Sequence, residues 1–293
     1  MAETQNTPAV DSGIVEMWRG DGRLYAIAGL IVGLVLGVII LPAIAALDNG
    51  EAAQAFLNDL APEAVGILVT VFGIDQLNRR RSKREAEEAL KQQLVMDAAS
   101  ISNEVAKNAV HQLWRKEWLH GENGLLRNAN LTAASLQGAV LMNANLQGAD
   151  LRTANLQDTN LRGTNLQGAD LTGANLEGAN LNNANLQAAN LWEANLQGAN
   201  LTYVDFQRAT LIHAKLQGAD LWHADLRGAD LSRAQMQDAK LDDTNLSGAC
   251  LAHANLQGVE FSGANIDQTT QLPDGTWGIG DMHRFVYPSD TNP

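Results

Sequence analysis

A five-residue period fills nearly half of this 293-residue chain and constrains its fold more than any other feature. A leucine column begins at Leu131 and recurs at every fifth position to Leu256, with Phe206 and Met236 as substitutes within it. A small residue, nearly always Ala, stands two positions before each leucine, and Asn or Asp usually stands between them. The period matches neither the 3.6-residue repeat of an α-helix nor the two-residue repeat of a flat strand.

A square coil accommodates this period when each group of five residues, a pentad, forms one side. The leucine and the small residue then point into a narrow lumen, and the backbone pairs with the adjacent coils at about 4.8 Å. Such a repeat buries its apolar face only by stacking on its neighbours. Residues 129–268 therefore predict seven coils of about 20 residues each, which form a rod of about 34 Å.

The pentads resemble the A(D/N)LXX motif of the pentapeptide-repeat family, as in residues 144–148 (Ala-Asn-Leu-Gln-Gly) and 169–173 (Ala-Asp-Leu-Thr-Gly). The resemblance implies a right-handed quadrilateral β-helix, a β solenoid, across residues 125–268. The order of apolar segments, basic cluster, helix and repeats also resembles a membrane-anchored, mostly bacterial subgroup of the family. The tail 269–293 is similar to tails that follow the repeats in some bacterial members.

The outward positions of the pentads differ between the four faces of the coil. Two opposite faces carry columns of Gln, which predict amide ladders along the solenoid. The other two faces vary, and because aromatic residues are enriched at interfaces, they predict a partner-binding surface. The alternative interpretation is that these are scattered surface residues without a binding role, which the repeat tolerates at its outward positions. One variable face carries Trp192, Ile212 and His213, and the opposite one carries Tyr203, Trp222 and His223.

No constellation of residues indicates catalysis. His213 and His253 lie two coils apart, about 10 Å by the strand spacing, which is too far for one metal ion held at about 2 Å. Cys250 is the only cysteine, so an internal disulfide is excluded. A net charge of −13 argues against binding nucleic acid through its phosphates. The sequence therefore predicts a protein with no enzymatic activity, cofactor, metal site or direct nucleic-acid binding.

The N-terminal region contains an apolar segment, residues 24–47, with no charged side chain. About 20 apolar residues span a bilayer, and the preceding tail, 1–23, is too long and too acidic for a secretory leader. A transmembrane helix is therefore predicted. Gly29, Gly33 and Gly37 form a smooth stripe on it. The stripe joins two copies in a homodimer, packs on a second span of the same chain, or has no packing role, since glycine is common in membrane helices.

A second apolar stretch predicts another transmembrane helix at 62–78, although a helix of about 24 Å is marginal for spanning. The segment between them, 48–61, is acidic and lacks Lys and Arg, whereas five basic residues occur in 79–84. The positive-inside rule then predicts a multi-pass hairpin in a bacterial inner or plasma membrane. The acidic loop faces outward, and both ends of the chain and the repeats face the cytoplasm.

Residues 79–124 predict a basic cluster and a linker helix. Its partial apolar face favours packing on the next domain, with a dimerising coiled coil as the alternative. The face consists of Leu90, Leu94, Ile101, Val105 and Leu113. Trp114, Trp118 and Leu119 immediately precede the repeats and are expected to cover the open end of the solenoid.

These features favour a membrane-anchored scaffold that presents its variable faces to an unidentified protein partner at the cytoplasmic surface of the lipid bilayer. DNA mimicry is the first alternative, since some soluble family members resemble duplex DNA and bind DNA gyrase. The repeats have a net negative charge, but arginines dilute it, and the central column is Leu where those members favour Phe. A regulatory subunit of a membrane transport or envelope process is the second alternative.

Overall fold

The computed structural model describes residues 50–278. The described chain divides into two compact units between residues 87 and 88. Helix α1 spans Gly50–Ala98 and helix α2 spans Asn103–Arg115. A solenoid follows, in which single residues form parallel bridges from Asn130 onward.

Helix α1 includes a segment that the sequence predicts as an acidic loop, 48–61. From Gly50 onward this segment is helical. It is rich in Ala, Leu, Gln and Glu, which are strong helix formers, and its acidic residues do not oppose a helix. The prediction of a loop was therefore wrong for residues 50–61.

Within the described part of the chain, 50–278, none of the helices combines the length and apolarity that a membrane crossing requires. The predicted second transmembrane helix, 62–78, is therefore not supported. Its apolar stretch is short and is bounded by Glu63 and Asp75, which lower its hydropathy. The predicted first span, 24–47, and its glycines Gly29, Gly33 and Gly37 lie outside the described residues.

The N-terminal end of the solenoid is covered by the end of α1 and by α2. Leu94, Val110 and Leu113 belong to the same buried cluster as the leucines of the repeats. The linker therefore packs on the solenoid, as the sequence favours. The chain is not helical at residues 99–102, and Ile101 is therefore exposed (82%). Val105 also faces outward. The prediction that Ile101 and Val105 belong to the apolar face was therefore wrong.

The three residues expected to cover the end of the solenoid have different environments. Leu119 is fully buried and Trp118 packs partly buried against the core. Trp114 is exposed (39%) and does not contribute to the cover. It directly follows Leu113 and lies about 100° around the axis of α2 from that buried residue, and the small residues Ala106 and Ala109 fill the buried side together with Val110 and Leu113.

The coils of the solenoid have the predicted length. Every bridge from Asn130↔Asp150 to Asn245↔Asn265 joins residues 20 positions apart, in parallel register, and these bridges define seven coils that begin at 130 and at every twentieth residue to 250. The column of Leu, Phe206 and Met236 is buried from 126 to 256. Thr159 and Thr164 replace Ala in the lumen, and each hydroxyl donates to the carbonyl of a leucine 23 residues earlier, at 2.9 Å.

Hydrogen bonds explain why Asn or Asp precedes each leucine. In the pentad 174–178 all five backbone N–H groups have acceptors, of which three lie in adjacent coils, one closes a β-turn and one is the Asn175 side chain. Asn175 Oδ1 accepts the N–H of Glu177 at 3.2 Å, an Asx turn that repeats in most pentads. The acceptors in order are the carbonyls of Leu171, Ala154 and Asn195, the side chain of Asn175, and the carbonyl of Gln197.

The last residue of each pentad is the third residue of the β-turn and has a positive φ. Type II turns need this geometry, which Gly adopts without strain. Gly is the commonest residue there, but side chains also occur, as at Arg233 (φ 59°). An L-residue in this region costs about 1–2 kcal/mol, so each side chain at this position opposes folding.

The C-terminal end of the solenoid extends beyond the predicted boundary at 268. The final bridge joins Cys250 to Gln271, 21 residues apart, because one extra residue enters the last coil. Gln271 then pairs in antiparallel fashion with Trp277. Leu272 is buried and Thr270 donates to the carbonyl of Leu246, so this short hairpin covers the end of the core.

We expect Leu196→Ala to lower the free energy of unfolding by about 2–5 kcal/mol, because the leucine is fully buried and its loss leaves a cavity between rigid coils. Chemical denaturation of the purified protein measures the change. Gln197→Ala, one residue later on the outer surface, is the matched control and should change stability by no more than about 0.5 kcal/mol. Equal effects would contradict the packed lumen.

We expect Arg233→Gly to raise the free energy of unfolding by up to about 1 kcal/mol, since it removes a side chain from a left-handed position. Arg162→Gly is the control, because Arg162 occupies the preceding turn position and does not have a positive φ. There glycine should destabilise by about 0.5–1 kcal/mol. Thermal and chemical denaturation of both variants would reveal the opposite signs.

Candidate functional site

Three rings on one face of the solenoid pack together and form the ring cluster, Tyr203, Trp222 and His223. Trp222 and His223 are adjacent in one coil, and Tyr203 lies in the preceding coil, where its N–H donates to the carbonyl of Trp222. The ring centroids of Tyr203 and Trp222 are 5.2 Å apart, edge to face, and those of Tyr203 and His223 are 5.1 Å apart and stacked. The sequence predicts these residues on one face, and the structure places them in contact.

The ring cluster is exposed although it is tightly packed. Tyr203 is 47% exposed and Trp222 is 40% exposed. Tyr203 and His223 also occupy the left-handed turn position, with φ of 58° and 56°. Strained backbone persists where the surrounding structure determines it, and such sites are often functional. Many other pentads share this backbone, including Glu193 and His213 on the opposite face, so the mutual contact of three exposed rings is what distinguishes this face as a candidate binding surface.

Acidic side chains adjoin the ring cluster. Asp243 lies in the next coil, with its Oδ2 3.9 Å from Nε2 of His223. Asp220 precedes Leu221 in the same coil and accepts the N–H of Trp222 at 3.1 Å. Lys240 occupies the bridge position opposite Asp220, so the charge around the rings is mixed. The surface combines flat apolar rings with carboxylates at their edge.

The opposite face is less organised. Trp192 is 43% exposed, whereas Ile212 and His213 are half-buried. The carbonyl of Ile212 accepts the N–H of Glu193, which places the two residue pairs in adjacent coils as predicted. Among the described residues no ring contact joins Trp192 to another aromatic side chain. The structure therefore assembles one of the two predicted aromatic groups into a cluster.

Glutamine side chains form parts of the predicted ladders. Gln137 Nε2 donates to Gln157 Oε1 at 3.3 Å, and Gln147 donates to Gln167 at 3.1 Å. Further along the solenoid the pattern changes, and Gln187 donates instead to Asp205 at 2.6 Å. These bonds run between coils, which supports a structural role for the Gln faces.

Arginine–aspartate pairs reduce the negative charge of the solenoid surface. Arg152 contacts Asp150 at 2.6 Å, and Arg227 contacts Asp225 at 2.6 Å. The hydrogen bond from Arg152 lowers the pKa of Asp150 to about 2, more than burial raises it. In each pair both residues belong to the same pentad, so Asp150 and Asp225 are neutralised locally rather than presented to a partner.

Two features of the outer surface escaped sequence reasoning. The first is the Asx turn at each Asn or Asp, which explains a residue preference that the repeat motif only records. The second is a cleft beside α2 near Val140. From residue 130 onward, Val140 is the only aliphatic residue in the Asn/Asp column, and this departure from the motif was the available signal.

Comparison with known proteins identifies relatives of the repeats. A family described as pentapeptide repeats matches eight copies, at residues 179–218, 205–243 and 239–270, and a pentapeptide repeat region matches residues 122–191. Together these matches cover just over half of the chain. No curated protein sequence matches significantly.

Several solved structures resemble the chain. HetL, a pentapeptide repeat protein involved in heterocyst differentiation regulation from the cyanobacterium Nostoc sp. strain PCC 7120, is 25% identical, with 58% of this chain and 98% of that chain covered and a TM-score of 0.28. A pentapeptide repeat protein from the cyanobacterium Cyanothece 51142 is 31% identical (44% and 90% covered, TM-score 0.27). QnrB1, a plasmid-mediated fluoroquinolone resistance protein, is 18% identical (48% and 70% covered, TM-score 0.40).

We expect Arg152→Gln to reduce the acid sensitivity of the fold. Because the pKa of Asp150 is lowered when folded, its ion pair contributes fully above about pH 4, and the contribution is lost as the pH falls towards about 2. The Tm of the variant should therefore be below that of the wild type at pH 6 and equal to it near pH 2. Thermal melts at several pH values measure this difference.

Arg162→Gln is the matched control for this experiment, since Arg162 has no ion pair in the part of the chain that the structure describes. Its Tm should follow that of the wild type across the whole pH range. A constant Tm offset for Arg152→Gln at pH 2 and at pH 6 would contradict the role assigned to the pair.

Proposed function

This chain belongs to the pentapeptide-repeat family, and we propose that it is a non-catalytic protein-interaction scaffold that docks a partner on the ring cluster. The observation that carries the proposal is the contact between the exposed rings of Tyr203, Trp222 and His223. Rings that are already held in place lose little conformational entropy when a partner binds. Tyr and Trp are also the residues that most often dominate binding energy at interfaces.

The solenoid supports this role because its outer side chains do not determine its fold. Backbone bonds and the lumen hold the coils together, so the two variable positions of each pentad can change without loss of the scaffold. Stacked coils repeat at a fixed spacing, which keeps side chains from different coils in register. The ring cluster uses this property, since Tyr203 and Trp222 come from consecutive coils.

We also propose that the apolar segment 24–47 anchors the scaffold in a bacterial inner or plasma membrane. Its length and lack of charge support this proposal. The five basic residues in 79–84 outnumber the two that precede the segment, Arg19 and Arg23, which favours a cytoplasmic location for the repeats. The glycine stripe of this segment keeps a homodimer among the proposals.

We expect Trp222→Ala to weaken the partner complex at least tenfold, with no loss of folding, because the indole is exposed and central to the ring cluster. Tagged full-length protein is purified in detergent from native membranes, and partners are identified from proteins that wild type retains and Trp222→Ala loses. The affinity of each identified partner is then measured with both proteins. Thermal melts confirm that the variant is folded.

Trp192→Ala is the matched control, because it removes an indole of similar exposure from the opposite face. It should leave the affinity unchanged. Loss of binding in Trp192→Ala alone would move the docking site to the face of Ile212 and His213. Equal retention of all partners by both variants would contradict docking on either aromatic face.

A chain that lacks residues 1–84 tests the anchor and the alternatives. Retention of the wild type in membranes and release of the truncated chain are expected. Recovery of DNA gyrase by both forms would instead support DNA mimicry. Local neutralisation of Asp150 and Asp225 by arginines weakens that alternative, because a DNA mimic needs exposed negative charge. Recovery of a transport or envelope component would favour the regulatory alternative.

A further inference from the structure

The first coil of the solenoid has an edge that later coils do not have. In the second coil, Asp150 forms a complete bridge to the first coil. Its N–H donates to the carbonyl of Ala129 at 2.9 Å, and its carbonyl accepts the N–H of Leu131 at 2.7 Å. The first coil has no preceding coil, so the corresponding groups at its four sides need other partners.

At two of the four sides, backbone carbonyls of the cover accept hydrogen bonds from N–H groups of the first coil. The N–H of Ser135 donates to the carbonyl of Ser100 at 2.9 Å, and the N–H of Asn145 donates to the carbonyl of Leu119 at 2.7 Å. At Asn130 and Val140, the backbone N–H and carbonyl have no hydrogen bond to any residue between 50 and 278. These two sides therefore present an open strand edge.

Val140 is unusual in sequence as well as in position. From residue 130 onward, every other repeat has a polar residue or Cys250 in this column, and most accept the N–H two residues later in an Asx turn. A valine gives up that bond and leaves an aliphatic side chain 47% exposed. The turn loses a stabilising interaction, and the surface gains an apolar contact site beside an open edge.

Helix α2 borders this edge and forms a cleft of about 390 Å³ with the first coil. One wall carries Trp114, whose ring stacks with His111 at 6.3 Å between centroids. The floor contains Gly138, Ala139 and Val140. Lys107 lies in the same wall as His111 and forms no ion pair within the described chain.

We propose that this cleft binds an extended segment of a partner protein that carries an aliphatic side chain and a nearby carboxylate. The segment adds one strand residue to the open edge, in which its carbonyl accepts the N–H of Val140 and its N–H donates to the Val140 carbonyl. Its aliphatic side chain packs on Trp114 and Val140. The carboxylate pairs with Lys107, which gives the cleft its charge preference. This site is distinct from the ring cluster and goes beyond the proposed function.

Asn130 allows a control that isolates the cleft from the open edge. Both sides have the same unpaired backbone groups, but only the Val140 side adjoins Trp114 and Lys107. A ligand that needed only a free strand edge would use both sides. A ligand that fits the cleft would depend on Val140 alone.

The test uses a random 12-residue peptide library displayed on phage, selected on the full-length chain in detergent micelles. We expect enriched peptides with an aliphatic residue close to Asp or Glu. The dissociation constants of the synthesised peptides, from fluorescence anisotropy, should rise at least tenfold with Val140→Pro, which removes the N–H donor. Asn130→Pro should leave them unchanged. Lys107→Gln should weaken binding and reduce its salt dependence.

Trp114→Ala tests the same cleft if Val140→Pro fails to fold, because Trp114 is exposed and its loss leaves the core intact. It too should weaken binding at least tenfold. Absence of enriched peptides, or equal binding by wild type, Trp114→Ala and Val140→Pro, would overturn the proposal. Peptide binding that becomes at least tenfold tighter when residues 1–49 are removed would show that this chain's own segment occupies the cleft, which would also overturn it.

Discussion

The backbone ladder between successive coils is the interaction on which the rest of this structure depends. Most pentads direct their N–H groups to the coils above and below, to their own turn and to one Asx side chain, so the backbone donors around the narrow apolar lumen are paired along the body of the solenoid. Buried polar groups without partners are costly. This requirement explains the repeat, since apolar side chains (small residues and leucine, with Phe206 and Met236 as substitutes) fill the lumen while Asn or Asp completes most turns outside.

The same ladder decides where the surface can vary. The residue before each leucine is committed to the turn, whereas the two residues after it face solvent and carry the differences between coils. The second of these positions has a left-handed backbone, so every side chain there opposes folding by a small amount. Tyr203 and His223 share this cost with many other pentads, and the contact of their rings with Trp222 is the physical basis for proposing a binding role for that face.

The two ends of the solenoid are under a different constraint, because each terminal coil has no further coil with which its backbone can form hydrogen bonds. At the C-terminal end a hairpin around Gln271 and Trp277 covers the last coil. At the N-terminal end the cover accepts the N–H groups of Ser135 and Asn145, whereas those of Asn130 and Val140 have no acceptor between residues 50 and 278. An unpaired strand edge next to an aromatic cleft can pair with another chain, which promotes either aggregation or specific recognition. The exposed aliphatic side chain of Val140 beside this cleft favours recognition.

How much could be predicted from the sequence follows from this architecture. The coil length, the leucine lumen, the Gln ladders and the shared face of Tyr203 and Trp222 were all predictable, because a 20-residue register makes distant positions neighbours by counting. The sequence predicted a linker helix, but it did not predict that this segment is divided into two helices. Its apolar spacing does not reveal that the chain turns at residues 99–102 and exposes Ile101.

By itself, therefore, the sequence determined the repeating body of this protein, since each pentad interacts mainly with copies of itself. Only the tertiary structure decided what happens where repetition ends. The packing of α2 on the first coil, the exposure of Trp114 and the open edge at Val140 depend on how nonrepeating segments fit a surface that no periodicity describes. The contact between the rings of Tyr203, Trp222 and His223 also required side-chain geometry, because register brings residues near one another but does not orient them.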